Sequence, residues 1–367
     1  MNGVSPDGAG RTGAAPASPG TGGTAPEGSW LLTGHDGRLT FYVHVDGAVL
    51  RWTEESPGSR SWAGPVTLPA KGVTGLSVVR GPNGYAHFLG RRSRPRTDDW
   101  TDVDIVHATQ YQTGRPLTVW HSLGNPFKDR ARAVEAGDPV GAVAADGALH
   151  VCVPTGQGSL ALRCEDGRGR WEAWGELTGT GVTDQPVLAA GAAGLVEVLV
   201  PARTGASHFC RQKPGGPLTL GYEVGAIPLP GSVSALETSP GRLTYYLTDM
   251  RDFGVTAVRA GHRPVPLGGE PGDGRISAVR TALDGIDCTV LAFRGLTGTV
   301  RLGVCATEGE RDGVWWTDTG KRCAGDPALV LDGRGALAVA VVGTDGRPAV
   351  ARQEDGQGLS LSDWHRI

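Results

Sequence analysis

Short apolar runs that close at glycine and re-enter as strands alternating every second position recur along the chain from Ser29 onward. "DPVGAVAADGALHVCV" starts at Asp138, "DQPVLAAGAAGLVEVLV" at Asp184 and "DPALVLDGRGALAVAVV" at Asp326. "SVSALETSPGRLTYYL" from Ser232 and "RISAVRTALDGIDCTVLAF" from Arg275 share that shape. Period-two alternation bounded by turn residues marks β-strands, and self-similarity at a fixed spacing marks a repeat architecture. The anchors Pro139, Pro186, Val233, Ile276 and Pro327 lie 47, 47, 43 and 51 residues apart. Two further units fit upstream, "SWLLTGHDGRLTFYVHV" from Ser29 and "TGLSVVRGPNGYAHFLG" from Thr74, the second carrying an insertion. Helix fits poorly, because nearly every segment is short, β-branched and closed by glycine. The pattern predicts an all-β chain: a seven-bladed β-propeller of four-stranded antiparallel blades over residues 29–367, which limits exposed strand edges by radial repetition.

Composition narrows this picture. Glycine at 59 and proline at 25 are abundant, yet hydrophobic residues reach 39%, so collagen-like and wholly disordered chains are excluded. Residues 1–28 contain one valine, no leucine or isoleucine and no aromatic residue, and are expected to be a disordered tail. No secretory pattern or membrane-length apolar run stands out, so a cytoplasmic protein with no membrane partner is expected. A net charge of −3, from 35 basic and 38 acidic residues spread throughout, disfavours nucleic acid as a partner. The six cysteines form no C-x-x-C or zinc-spaced cluster, so neither a metal nor a cofactor is expected. Cys152 with Cys164, and Cys288 with Cys305, could face each other across hairpins, but free buried thiols are the expectation.

The unit ends have their own signature. "LTVWHSL" spaces Leu117, Trp120 and Leu123 by three, "WEAWGEL" does the same with Trp171, Trp174 and Leu177, and "LSDWHRI" with Leu361, Trp364 and Ile367. "WAGPVTL" keeps Trp62 and Leu68, unit five has "HRPVPL" instead, and unit six carries "VWWTDTG" out of register. Together with D-P-x-hydrophobic and D-G-x-L, these motifs resemble the bacterial seven-bladed propeller lectins that bind fucose-type sugars, with tectonins as distant relatives. That resemblance covers residues 29–367. It implies pockets between neighbouring blades, lined by aromatic and polar side chains, and makes Trp120, His121, Trp171, Trp174, Trp364 and His365 the candidate ligand-binding residues. The same tryptophans could instead pack blade against blade, which is the commoner role for a large apolar side chain in a repeat.

Catalytic constellations are sparse. G-x-S-x-G and H-E-x-x-H do not occur, and "TDGRPAV" and "DGVWWTDTG" lack the full S-x-D-x-G-x-x-W of a sialidase Asp box. His44, His87 and His107 sit in units one and two and could converge beside the insertion, although a lone strand histidine is more often structural. "YYLTDMRDFG" places Asp249, Arg251 and Asp252 around a turn, as a self-satisfied pair or as a pocket rim. The favoured function is a lectin-like propeller that binds a carbohydrate or glycosylated small molecule. An intracellular cyclase, lyase or hydrolase using one pocket at the channel mouth is the alternative, and a protein-interaction platform is a third reading.

The insertion in unit two lengthens the step from Gly75 to Pro139 to 64 residues. At its centre "RRSRPRTDDWTDVD", residues 91–104, sets four arginines ahead of four aspartates around Trp100. The charges could neutralise each other across an extended hairpin, leaving Trp100 as the residue with least reason to be exposed. Trp100, Asp102 and Asp104 therefore join the candidate ligand-binding set, since long loops in an array of short ones often carry function. Replacing Trp100 with alanine is expected to weaken ligand binding while circular dichroism and the unfolding temperature stay unchanged; unchanged binding would reduce this stretch to a solvated decoration.

Overall fold

The computed structural model describes residues 29–367 apart from 98–99, 157, 179, 214 and 355–357, and describes only the backbone of residues 29, 97 and 100. The tail expected over 1–28 lies outside these residues. Among those described, the strands form seven four-stranded antiparallel sheets, each from consecutive segments of chain. The blades occupy residues 29–69, 73–124, 140–177, 187–224, 234–268, 277–322 and 328–366, matching the seven units read from the repeats. No described helix is long and apolar enough to cross a membrane.

Seven hydrophobic clusters hold the ring, one at each blade–blade interface. Strand alternation explains how one sheet serves two interfaces. In blade 7, Leu337, Val339 and Val341 pack on blade 6, whereas Ala338, Ala340 and Val342 pack on blade 1. Its strand Leu337–Val342 is buried at every position, and so reads as a continuous apolar run. The outer strands lose one covered face, and their exposure alternates, as over Trp315–Arg322. Each fully buried valine or leucine contributes about 1.5–3 kcal/mol, so the interfaces dominate the stability of the ring.

Each sheet is self-contained, so side chains alone join the first and last blades. Their apolar seam surrounds an ion cluster. Arg352 of blade 7 donates to Asp332 Oδ2 at 3.0 Å and to Glu54 of blade 1. The second Glu54 oxygen accepts the Leu39 amide at 2.6 Å. The Glu54 side chain is 0% exposed, and burial raises its carboxyl pKa while the Arg352 charge pulls it back.

Breaking a buried pair by removing one partner leaves an uncompensated charge, at a cost of about 3–5 kcal/mol. Arg352→Ala is therefore expected to lower the unfolding temperature clearly, and adding Glu54→Gln to that variant should recover part of the loss. Additive losses in the double variant, read by calorimetry, would show that the pair does not couple the first and last blades.

Candidate functional site

The unit-end tryptophans form a recurring clasp. Trp120 Nε1 donates to the Pro69 carbonyl at 2.9 Å, Trp174 Nε1 to the Leu123 carbonyl at 3.0 Å, and Trp316 Nε1 to the Leu267 carbonyl at 3.0 Å. Each bond runs from one blade to the outer strand of the blade before it. Unit six is thus in register through Trp316, contrary to the reading from its sequence. Gly303 lies opposite Trp316, and a Cβ there would come within 2.3 Å of the indole ring, so only glycine admits this clasp. Trp171 and Trp174 flank Arg163, whose guanidinium carbon lies 5.7 and 5.8 Å from their rings. Trp120, Trp171 and Trp174 are partly buried and pack against the interface clusters. His121 and His365 are exposed on outer strands.

Unit six carries a second tryptophan, and alternation sends it the other way. Trp315 is 78% exposed and, with Thr317 and Thr319, faces a cleft of about 640 Å³ between blades 6 and 7. The opposite wall is the segment Gly358–Trp364 of blade 7. Of the nine candidate residues, Trp364 alone lines this cleft, with Lys321 Nζ 5.6 Å from its ring centroid. The hairpin turn of blade 6 places Asp284 and Gly285 at φ of 51° and 78°, the two positive angles of a type I′ turn. Asp284 there accepts the Gly358 amide at 2.8 Å and ties the two walls together. Leu283, Cys288 and Leu302 are buried at its base. Burial raises the Cys288 thiol pKa, which keeps it protonated and a poor nucleophile.

A second cleft, of about 200 Å³, opens between blades 3 and 4 and is lined by charged side chains, among them Arg163, Glu172 and Arg211. Cys164 Sγ donates to Glu172 Oε2 at 3.0 Å, and Arg211 Nη2 lies 4.0 Å from the same sulfur. Burial and the Glu172 carboxylate raise the Cys164 pKa. The cleft thus offers guanidinium donors beside a carboxylate acceptor, a pairing suited to neighbouring hydroxyl groups.

The architecture has solved counterparts. A lectin, BP39L, from Burkholderia pseudomallei superposes with a TM-score of 0.69 at 13% identity, covering 92% of this chain and 98% of that one. By fold, this chain resembles that lectin. AofleA from Arthrobotrys oligospora gives a TM-score of 0.51 at 12% identity, over 81% of this chain and 86% of that chain. No family model and no curated protein sequence matches. The propeller-lectin likeness read from the repeats thus extends to the fold.

The remaining candidates resolve into structure. Residues 91–97 and 100–104 belong to paired strands, Ala86–Thr97 and Trp100–Gln110. Across it Asp102 pairs with Arg96 at 3.2 Å, and Asp104 with Arg92 and Arg94 at 3.8 and 3.9 Å. Both aspartates thus have arginine partners within the hairpin, and the Trp100 side chain lies outside the described residues. Tyr245 and Tyr246 point to opposite faces, donating to Glu197 of blade 4 at 3.2 Å and to Glu310 of blade 6 at 3.1 Å. Arg251 satisfies Asp249 locally, with Nε 3.0 Å from Oδ2. All six cysteines are free. Register sets Cys288 opposite Ala306 and Cys305 opposite Thr289, on opposite faces of the sheet.

His87 and His107 do meet, with His87 Nδ1 3.1 Å from His107 Nε2 and near-parallel rings. His44 lies on blade 1, paired in register with Val49. Burial lowers the pKa of His87 to about 4 and, with the His87 and His121 charges, that of His107 to about 3. Folded-state values below the unfolded 6.5 mean the unfolded chain binds more protons in between, so stability is held above pH 6.5 and lost as pH falls toward 3–4. Full titration costs roughly 3 kcal/mol for His87 and roughly 5 kcal/mol for His107. The unfolding temperature is expected to drop between pH 6.5 and 4, and His87→Gln should flatten that slope; an equal slope in the variant would place the acid sensitivity elsewhere.

Proposed function

We propose that the protein is a lectin-like, carbohydrate-binding propeller that takes its ligand in the cleft between blades 6 and 7. The observation that carries this reading is the Trp315 indole, 78% exposed beside Trp364, while Trp120, Trp174 and Trp316 clasp neighbouring blades. An exposed aromatic plane at a cleft mouth stacks on the C–H face of a sugar ring, while nearby oxygens meet its hydroxyls. Thr317, Asp284 and Asp363 supply those oxygens. The cleft volume falls within the range of about 300–1,000 Å³ typical of small-molecule sites. The fold likeness to BP39L supports the same reading. The cleft between blades 3 and 4 offers a second, smaller position for a sugar.

A glycan array followed by calorimetric titration tests this. Trp315→Ala, at an exposed position, should fold normally and weaken binding by roughly five- to tenfold, the effect of losing one aromatic contact of about 1 kcal/mol. No binding by the unaltered protein to any glycan at high protein concentration would overturn the reading.

A further inference from the structure

The polar groups inside the blade 6–7 cleft are already spoken for. Thr319 donates its hydroxyl to the Val300 carbonyl at 2.9 Å and accepts the Lys321 amide at 3.3 Å, which leaves the side chain little hydrogen-bonding capacity for a ligand. The Ser362 hydroxyl accepts the Arg352 amide at 3.2 Å and donates to the Asp363 carbonyl at 3.2 Å. Beneath them the base is Leu283, Cys288 and Leu302, all buried, with Val304, Leu359 and Leu361 packed against the same cluster. A sugar hydroxyl seated there would lose its water and gain little, at a cost of about 1–3 kcal/mol per group. The exposed polar groups that line the same cleft as Trp315 are Thr317, Asp363 and Asp284, the last with one carboxylate oxygen taken by the Gly358 amide. The cleft therefore sorts a ligand by depth, polar at the mouth and hydrocarbon at the base. Two rim carboxylates also disfavour an anionic head group.

Resting on the carbohydrate reading above, we infer that this cleft recognises an uncharged glycoside with an apolar aglycone, an aryl group or an alkyl chain. The sugar stacks on Trp315 at the rim and the aglycone lies over Leu302, Leu359 and Leu361. A free monosaccharide occupies the rim alone and leaves the apolar base wet. Amphiphilic glycosides, whether a glycolipid or a glycosylated small aromatic product, share this chemistry. Long alkyl and compact aryl aglycones separate the two sources.

The test compares methyl, octyl and 4-nitrophenyl glycosides of L-fucose, D-mannose, D-galactose and N-acetyl-D-glucosamine, each below its micellar concentration, by calorimetric titration of the full chain. For whichever sugar binds, the octyl or 4-nitrophenyl form should bind at least about tenfold more tightly than the methyl form, the effect of burying roughly two methylene groups. A preference for octyl identifies a lipid-like aglycone, and a preference for 4-nitrophenyl an aromatic one. Leu359→Ser, at a half-buried loop position, should bring the ratio toward one, and Trp315→Ala should weaken every form. Should Leu359→Ser fail to fold, the ratio measured on the unaltered protein decides alone. Equal affinity for methyl and longer glycosides would overturn this inference and leave the carbohydrate reading standing. Octanol binding as tightly as an octyl glycoside would overturn the carbohydrate reading instead, as would no binding by any member of the series.

Discussion

Every blade depends on having both faces of its sheet covered at once. A four-stranded antiparallel sheet with two apolar faces is not stable alone, and here each face is buried by a neighbour. The ring therefore stands or falls as a unit, and its closure rests on side chains between blades 7 and 1. The Arg352 cluster matters because it lies at that seam, where two buried carboxylates would repel each other without the guanidinium between them.

The same constraint decides where a ligand can sit. Covered faces leave openings toward the outer strands, which both clefts include in their lining. Between blades 6 and 7 the long strand Trp315–Arg322 and the segment Gly358–Trp364 make such an opening, and between blades 3 and 4 a smaller one remains. At other interfaces, among the described residues, tryptophans clasp the preceding blade or carboxylates bind across. Glu197 holds His208 and Tyr245, and Glu310 holds Tyr246 and Arg259. Uneven repeats give an uneven ring, in which the clefts between blades 6 and 7 and between blades 3 and 4 differ in chemistry rather than repeating one pocket.

Much of the architecture was legible in the sequence, because strand alternation and a spacing near 47 residues are local properties of the chain. Seven units, their boundaries near Pro139, Pro186 and Pro327, and the hairpin neutralisation of Arg92 to Arg96 by Asp102 and Asp104 follow from neighbours in sequence. The candidate site was legible only in part. Trp364 came from the unit-end motif, whereas Trp315 hid in a doublet that looked like a register error. The available signal was the doublet itself: adjacent residues on an edge strand point to opposite faces, so one of two tryptophans must leave the interface.

What the sequence determined alone is the repeat, the strand period and hence the number of blades, since these need only each residue's nearest neighbours along the chain. Which face of each outer strand meets a neighbour was decided by the closed ring, because covering a tryptophan requires a blade some 50 residues away to arrive against it. That packing turned Trp120, Trp174 and Trp316 inward as clasps and left Trp315 facing solvent over an apolar cleft.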